Sequence, residues 1–147
     1  MSAIGSVSTS LSDSLLRPIP WLMSFAIDED MIDREHQHLI SLINEICALA
    51  ARHGAEAQER LMREDAAGLL DSHFAHEERI LDDIGFSDLL SHQREHDHIR
   101  TLIAPLYSQQ HDLGLARALL SARTGLVEHI IRHDLGFKSH LLDRDGR

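Results

Sequence analysis

The stretch Ser72-His73-Phe74-Ala75-His76-Glu77-Glu78 decides the fold, because it sets polar side chains into a run of apolar residues at helical spacing. His73 and Glu77 lie four residues apart. On an α-helix this spacing brings two side chains to one face, with their Cβ atoms about 5–6 Å apart. One such pair is common in helices, so it indicates a functional site only if other segments of the chain contribute further polar residues.

Four segments carry apolar residues at intervals of three and four, which predicts four amphipathic α-helices. We expect helices over residues 31–53 and 56–84, a third from residue 87 and a fourth from residue 112. Met62 belongs to the second apolar stripe, Gly85 is expected to end that helix, and Pro105 to distort the end of the third. No segment alternates with period two. The prediction is an all-α fold, an up-down-up-down antiparallel four-helix bundle over residues 20–147.

The first 19 residues have a different character, rich in Ser and Gly and followed by Pro20. We predict that residues 1–19 form a flexible, extended N-terminal arm without a core of its own. Trp21 and Phe25 are expected to anchor this arm on the bundle.

Polar residues interrupt the apolar stripe of every predicted helix. In an antiparallel bundle, the start of the first and third helices and the end of the second and fourth lie at the same end. The interruptions fall there: His36, His73, Glu77, His92, His96 and His129. No Arg or Lys lies on these stripes near Glu77. Burying five imidazoles and a carboxylate without a cation would cost several kcal/mol, so the pattern predicts a metal site.

The fourth helix leaves one choice open. His133 lies four residues after His129, so an ideal helix places it on the stripe, whereas Asp134 lies about 140° away. Asp134 could reach inward only if the helix widens, as at a π-bulge, or ends there. The remaining histidines fall off the stripes or at helix ends and are expected to be solvated or to lie at the rim: His38, His53, His76, His98, His111 and His140.

Composition narrows the class of protein. The formal net charge of -10 disfavours nucleic acid as a partner, which requires clustered Lys and Arg. One cysteine, Cys47, excludes an internal disulfide and a cysteine-based metal site, and fits a reducing cytoplasm. No apolar run approaches the roughly 20 residues of a membrane helix, and no basic segment precedes an apolar one at the N-terminus. We therefore expect a cytoplasmic protein that does not bind membranes.

These motifs resemble the hemerythrin family, most closely its single-domain bacterial members. The resemblance covers residues 21–142 and rests on Ile32-Asp33-Arg34-Glu35-His36, on His73-Phe74-Ala75-His76-Glu77-Glu78, on His92 and His96 after Gly85-Phe86-Ser87, and on His129-Ile130-Ile131-Arg132-His133-Asp134. It favours Asp134 over His133, so the implied metal ligands are His36, His73, Glu77, His92, His96, His129 and Asp134.

The resemblance implies two iron ions with a bridging oxo or hydroxo group. Glu77 and Asp134 would bridge both ions. The histidines His92, His96 and His129 would complete the coordination of one iron, and His36 and His73 would hold the other, which keeps one position open for dioxygen. Imidazole and carboxylate ligands suit iron.

Phe74, Leu126, Ile130 and Gly125 are the expected oxygen pocket. Relatives often carry Trp where this chain has Gly125, so we expect easier ligand access and faster autoxidation here.

The implied function is reversible dioxygen binding, for storage, delivery or supply, without enzymatic activity. The alternatives are an oxygen or redox sensor and a di-iron enzyme that handles peroxide or nitric oxide. Nitric oxide, azide and peroxide are the other small ligands we consider.

Overall fold

A computed structural model of the chain describes residues 9–27, 29–52, 54–107 and 113–131. Within these ranges the regular structure is helical. The α-helices are α1 (Thr9–Leu16), α2 (Asp30–Arg52), α3 (Gly54–Glu64), α4 (Ala66–Asp83), α5 (Leu89–Ile103) and α6 (Leu113–His129). Short 3₁₀ turns follow at Met23–Phe25 and at Ala104–Tyr107, and the second of these contains Pro105, where the sequence predicts a distortion.

The bundle consists of α2, α4, α5 and α6. Each packs on two neighbours, in the cyclic order α2, α4, α5 and α6. The antiparallel direction is visible at both ends: His36 near the start of α2 contacts Glu77 late in α4, and Tyr107 after α5 accepts a hydrogen bond from the backbone N–H of Ala67 at the start of α4. The predicted all-α bundle is therefore confirmed. In the part of the chain that the structure describes, no helix is long and apolar enough to cross a membrane.

The end of α4 is fixed by Gly85. Its φ of 68° lies in the left-handed region that glycine adopts without strain. The N–H of Gly85 donates to the carbonyl of Asp82, and the N–H of Phe86 donates to the carbonyl of Leu81. This pair of bonds is a Schellman motif. It terminates α4 as predicted and turns the chain toward α5, so that Glu77 lies one to two turns from the bundle end.

The single helix predicted over residues 56–84 is wrong, because the chain breaks at Asp65. Asp65 has φ 50° and ψ 55°, and its side chain accepts a hydrogen bond from the N–H of Gly68, which caps α4. The break turns the apolar face of α3 out of phase with that of α4. Leu61 is therefore buried, whereas Met62, which the continuous stripe placed inside, is 69% exposed.

The extended arm predicted over residues 1–19 is also wrong for the part that the structure describes, since Thr9–Leu16 forms α1. Leu15 is fully buried. Arg123 of α6 donates hydrogen bonds to the carbonyls of Ser14 and Arg17, which satisfies backbone acceptors at the end of α1. Tertiary contact, rather than helix propensity, accounts for a helix this short.

The segment between α1 and α2 is held by side chains of α2. The side-chain amide of Asn44 both donates to and accepts from the backbone of Ile19, at 2.8 Å each. The predicted anchors meet edge to face, with the Trp21 and Phe25 ring centroids 5.6 Å apart, and Phe25 belongs to the main core. Further on, the N–H of Ile27 donates to the Asp33 carboxylate.

Apolar residues flank the polar layer on both sides along the bundle axis. The main core fills the bundle from Leu39 onward. A second, smaller cluster, which we call the end cluster, contains Ile27, Ile32 and Leu81, with Ile84 and Phe86 packed against it. Ile32 lies one turn before His36 and Leu81 one turn after Glu77. The polar layer is thus closed off from the bundle end by apolar side chains.

Candidate metal centre

The polar residues that interrupt the apolar stripes meet in one layer of the bundle. Within the described ranges, they are the only polar or charged side chains that are buried: His36, His73, Glu77, His92, His96 and His129, each at most 3% exposed. One comes from α2, two from α4, two from α5 and one from α6. The structure therefore brings together six of the seven predicted ligands. Asp134, and with it the choice against His133, lies outside the described residues.

Glu77 is the centre of this layer, and its two oxygens divide the histidines between them. The Nε2 atoms of His36 and His73 both lie 2.9 Å from Oε2. Three other Nε2 atoms approach Oε1, that of His96 at 2.9 Å and those of His92 and His129 at 3.3 Å. The donor atoms form two sets that share Glu77, and within each set they lie within 4.8 Å of one another.

Two further carboxylates hold the outer sides of these rings. His73 Nδ1 donates to Glu35 Oε1 at 3.0 Å, and His96 Nδ1 donates to Glu78 Oε2 at 2.6 Å. A neutral imidazole carries one N–H, so a ring that donates through Nδ1 presents a lone pair at Nε2. These two lone pairs face the oxygens of Glu77. Two acceptors about 3 Å apart repel each other, so a proton or a metal ion has to lie between them.

The hydrogen-bond capacity of Glu77 leads to the same conclusion. A carboxylate offers about four lone-pair sites, whereas five imidazole nitrogens converge on Glu77. The Nε2 of His73 makes no hydrogen bond, although it lies 2.9 Å from Oε2. Metal ions can satisfy all of these atoms at once, since each nitrogen and each oxygen then donates a lone pair to a cation. The donor set therefore fits two metal ions that share one carboxylate.

The electrostatics of the pocket favour the ionised form of Glu77. Burial alone would raise its pKa, but the charge of His73 and the hydrogen bond from His129 outweigh burial and hold the pKa well below the usual range. For His73, burial alone would lower the pKa, but the negative charge of Glu77 outweighs burial and raises the pKa above its usual value. Glu77 is thus ready to bind a cation as a carboxylate.

Glu35 and Glu78 are functional residues that the sequence reasoning missed. Each is adjacent in sequence to a predicted ligand, and each orients the ring of a different histidine set. Glu35 also accepts a hydrogen bond from His76, 2.6 Å long, and His76 lies at the partly exposed rim of the layer, as predicted. These contacts lower the pKa of Glu35, although burial opposes the shift. The only sign of Glu35 and Glu78 in the sequence is their position beside predicted ligands: Glu35 precedes His36, and Glu78 follows Glu77.

The predicted apolar pocket surrounds the layer only in part. Phe74 is fully buried and stacks on the ring of His96, with centroids 3.9 Å apart, and Arg100 lies over the Phe74 ring at 5.0 Å. Leu126 and Ile130 are buried in the main core. Directly after α6 the backbone widens to a π-helical turn at Ile130 and Ile131, which is one of the two changes that would let Asp134 reach inward.

Gly125 does not leave an empty space beside the metal layer. A Cβ atom built at Gly125 would lie 2.4 Å from Cδ1 of Leu102, so the side chain of Leu102 occupies the place of the missing one. Gly125 borders a surface groove between α5 and α6 that also includes His98 and Glu128. None of the six buried polar residues lines this groove. His38 and His98 are exposed, as predicted.

The comparisons with known proteins agree with this geometry. The model of the family "Hemerythrin HHE cation binding domain" matches residues 28–141. A myohemerythrin of Riftia pachyptila is 32% identical over 130 residues, which cover 84% of this chain and 94% of that protein. The chain belongs to the hemerythrin family.

Proposed function

We propose that this protein binds dioxygen reversibly at a pair of iron ions and serves in oxygen storage, delivery or supply. The observation that carries the proposal is the division of five histidines, two and three, between the two oxygens of Glu77. A bridging carboxylate in a two-metal site needs this arrangement. The unequal division leaves one ion with fewer protein ligands, which is where an exogenous ligand would bind.

The ligand roles follow from the two sets. His92, His96 and His129 would hold one iron, and His36 and His73 the other, with Asp134 as a second bridge. The widening of the helix at Ile130 and Ile131 supports Asp134 in this role. When bound, a pair of iron ions with an oxo or hydroxo bridge would supply the electrons for reversible dioxygen binding.

The protein's own side chains would keep the bound gas from reacting further. Phe74, Leu126 and Ile130 are apolar and buried, so they present no proton donor and exclude water from the layer. Arg100 closes the outer side of Phe74 and is held by ion pairs to Asp71 and Asp97. A dry pocket without acids near the ligand favours release of dioxygen over its irreversible reduction.

Oxygen cycling of the reduced, iron-loaded protein tests the proposal. Two iron atoms per chain and a visible absorption band that appears in air and fades reversibly under vacuum are expected. His96→Ala should lose iron and the band. His98→Ala, two residues away on the exposed face of α5, is the matched control and should keep both. A protein that binds no iron, or that converts irreversibly in air, would contradict the proposal.

Glu35 and Glu78 favour a second candidate, a di-iron enzyme that handles peroxide or nitric oxide. Hydrogen bonds from ligating histidines to carboxylates raise the basicity of the ligands and stabilise higher oxidation states of a metal. Glu35 and Glu78 add negative charge beside the layer, beyond that of the proposed bridging carboxylates Glu77 and Asp134. Multiple turnovers of added peroxide by the diferric protein would favour this enzyme, whereas a stable diferric spectrum in peroxide would favour the carrier. The cytoplasmic location and a sensor role stay predictions.

A further inference from the structure

A cleft opens to the surface between α2 and α4, where Glu35 meets His73. Its volume is about 240 Å³, and five of its lining residues belong to α2 and three to α4. His73 is one of the buried histidines of the metal layer, and it also lines the cleft. The cleft therefore connects the protein surface with the outer side of the His36 and His73 set.

The carboxylate of Glu35, which lines the cleft, already has its partners. Its Oε1 atom accepts a hydrogen bond from His73 at 3.0 Å, and its Oε2 atom accepts one from His76 at 2.6 Å. A cation in the cleft would have to compete with both N–H donors for these oxygens. Glu35 is thus a support of the metal layer and a poor binding group for a ligand in the cleft.

The exposed rim of the cleft carries hydrogen-bond donors. Arg34 and His38 are exposed and lie one turn apart on α2, and the exposed Ser72 lies on α4. Within the described ranges, these three side chains form no hydrogen bond or ion pair. A guanidinium presents its N–H groups in a planar fork that matches the two oxygens of a carboxylate. The rim therefore suits an anion.

The remaining walls of the cleft are apolar. They consist of Leu39, which is buried, and of Met31 and Leu69, which are half-buried. The volume lies below the roughly 300 Å³ at which pockets for drug-sized ligands begin, so a compact molecule with one ring fits best. The net charge of -10 opposes a multiply charged anion more strongly than a singly charged one.

We propose that this cleft binds a small aromatic monocarboxylate, whose carboxylate pairs with Arg34 and whose ring packs on Leu39 and Leu69. The bound ring excludes water from the hydrogen bond between His73 and Glu35, which strengthens that bond. The His36 and His73 set then holds its metal ion more tightly. This effect on the iron rests on the proposed function, whereas the affinity of the cleft for the anion does not.

Benzoate is the probe, and two relatives separate its charge from its ring. Acetate has the same carboxylate without the ring, and benzyl alcohol has the ring without the charge. In calorimetric titrations of the iron-loaded protein, benzoate should bind about tenfold more tightly than acetate, because about 60 Å² of buried apolar surface is worth about tenfold. It should bind about two- to fivefold more tightly than benzyl alcohol, the range for an exposed ion pair.

Two substitutions at exposed positions test the location of the site, each with a matched control. Arg34→Gln should remove the advantage of benzoate over benzyl alcohol, whereas Arg79→Gln makes the same charge change outside the cleft and should preserve it. Ser72→Phe places a ring in the cleft and should abolish benzoate binding. Ser121→Phe makes the same change at an exposed serine of α6 and should leave binding intact.

A chelator titration with and without benzoate measures the effect on the metal. One of the two metal dissociation constants should fall when benzoate is present. By thermodynamic linkage, metal loading should tighten benzoate binding by the same factor. Equal metal constants with and without benzoate would overturn the coupling to the metal layer.

The cleft site itself is overturned if benzoate binds no more tightly than acetate, or if Ser72→Phe leaves benzoate binding intact. Either result beside reversible oxygenation of the reduced protein would remove only the cleft site. Benzoate binding that requires Arg34 and an open cleft, in a protein that never oxygenates reversibly, would remove the carrier function and leave the cleft site in place.

Discussion

Glu35 and Glu78 allow the two metal positions to be weakened one at a time. Each carboxylate accepts a hydrogen bond from one ligating ring, His73 or His96, and these rings belong to different histidine sets. Glu35→Gln and Glu78→Gln keep the size of the side chain and a carbonyl oxygen that can accept the bond. They remove only the negative charge.

The expected magnitude follows from the role of such partners. Loss of a carboxylate that orients a metal-bound histidine typically costs 10–100-fold in metal affinity, which is about 1.4–2.8 kcal/mol. The 2.6 Å bond of Glu78 is shorter than the 3.0 Å bond of Glu35 to its ligating ring. Short bonds to ionised carboxylates are the stronger ones, so Glu78→Gln should show the larger loss.

Titration with a competing chelator, which resolves two successive dissociation constants for iron(II) or zinc, measures the effect. We expect each substitution to weaken one constant more than the other, because each carboxylate contacts one histidine set, while Glu77, which both sets share, passes part of the effect to the second site. Glu128→Gln is the control, since Glu128 precedes His129 in sequence but is exposed and should change neither constant. The reasoning would be refuted if both constants fell equally in both variants, or if neither changed.

Three further predictions concern metal loading, the cysteine and the glycine. Saturating the two sites at about 100 times their dissociation constants should add about 2.7 kcal/mol each. Calorimetry should then show a rise in Tm of roughly 10–20 °C at two metal ions per chain, and an unchanged Tm would count against buried sites. Burial raises the pKa of Cys47 from 9.0 to about 11, so a thiolate-specific reagent at pH 8 should modify the native protein far more slowly than the unfolded one. Because the unfolded thiol ionises first, stability should also fall as the pH rises from 9 toward 11. Gly125→Trp must displace Leu102, whereas Gly125→Trp combined with Leu102→Ala gives the indole room. We expect slower autoxidation in the double variant than in Leu102→Ala alone, and equal rates would mean that Gly125 is not on the path of the ligand.

The buried polar layer could be predicted because its members break an otherwise regular pattern. A histidine at a position three or four residues from aliphatic neighbours, as at His36 or His96, is conspicuous on its own helix. Antiparallel connection then places the interruptions of all helices at one end. This inference needs only helical periodicity and short connections, which both hold here.

The supporting carboxylates could not be predicted in the same way. Glu35 is next to His36 and Glu78 next to Glu77, so each lies about 100° round its helix from a ligand, at positions where charged residues are ordinary. Their function appears only when α2 packs on α4 and α4 on α5. The contact partner of Glu35 is His73, which is 38 residues away in sequence.

The break at Asp65 could not be predicted from hydrophobic periodicity either. Apolar residues continue through it at acceptable spacing, and Asp is one of the few residues other than glycine that enters the left-handed region. No glycine or proline marks the position. A continuous helix and a broken one therefore give the same pattern, and the difference appears in Leu61 and Met62, whose burial is exchanged.

The end cluster has a practical consequence for anyone who trims the protein. The family match starts at residue 28, yet the shield over the metal end uses Ile27, and the core below it uses Phe25 and Leu15. A protein cut to residues 28–141 would retain every histidine named above, but it would lose part of the apolar shield over the metal layer. Solvent would then reach the metal layer along the bundle axis, and weak metal retention in the trimmed protein would reflect the missing cover, not weak ligands.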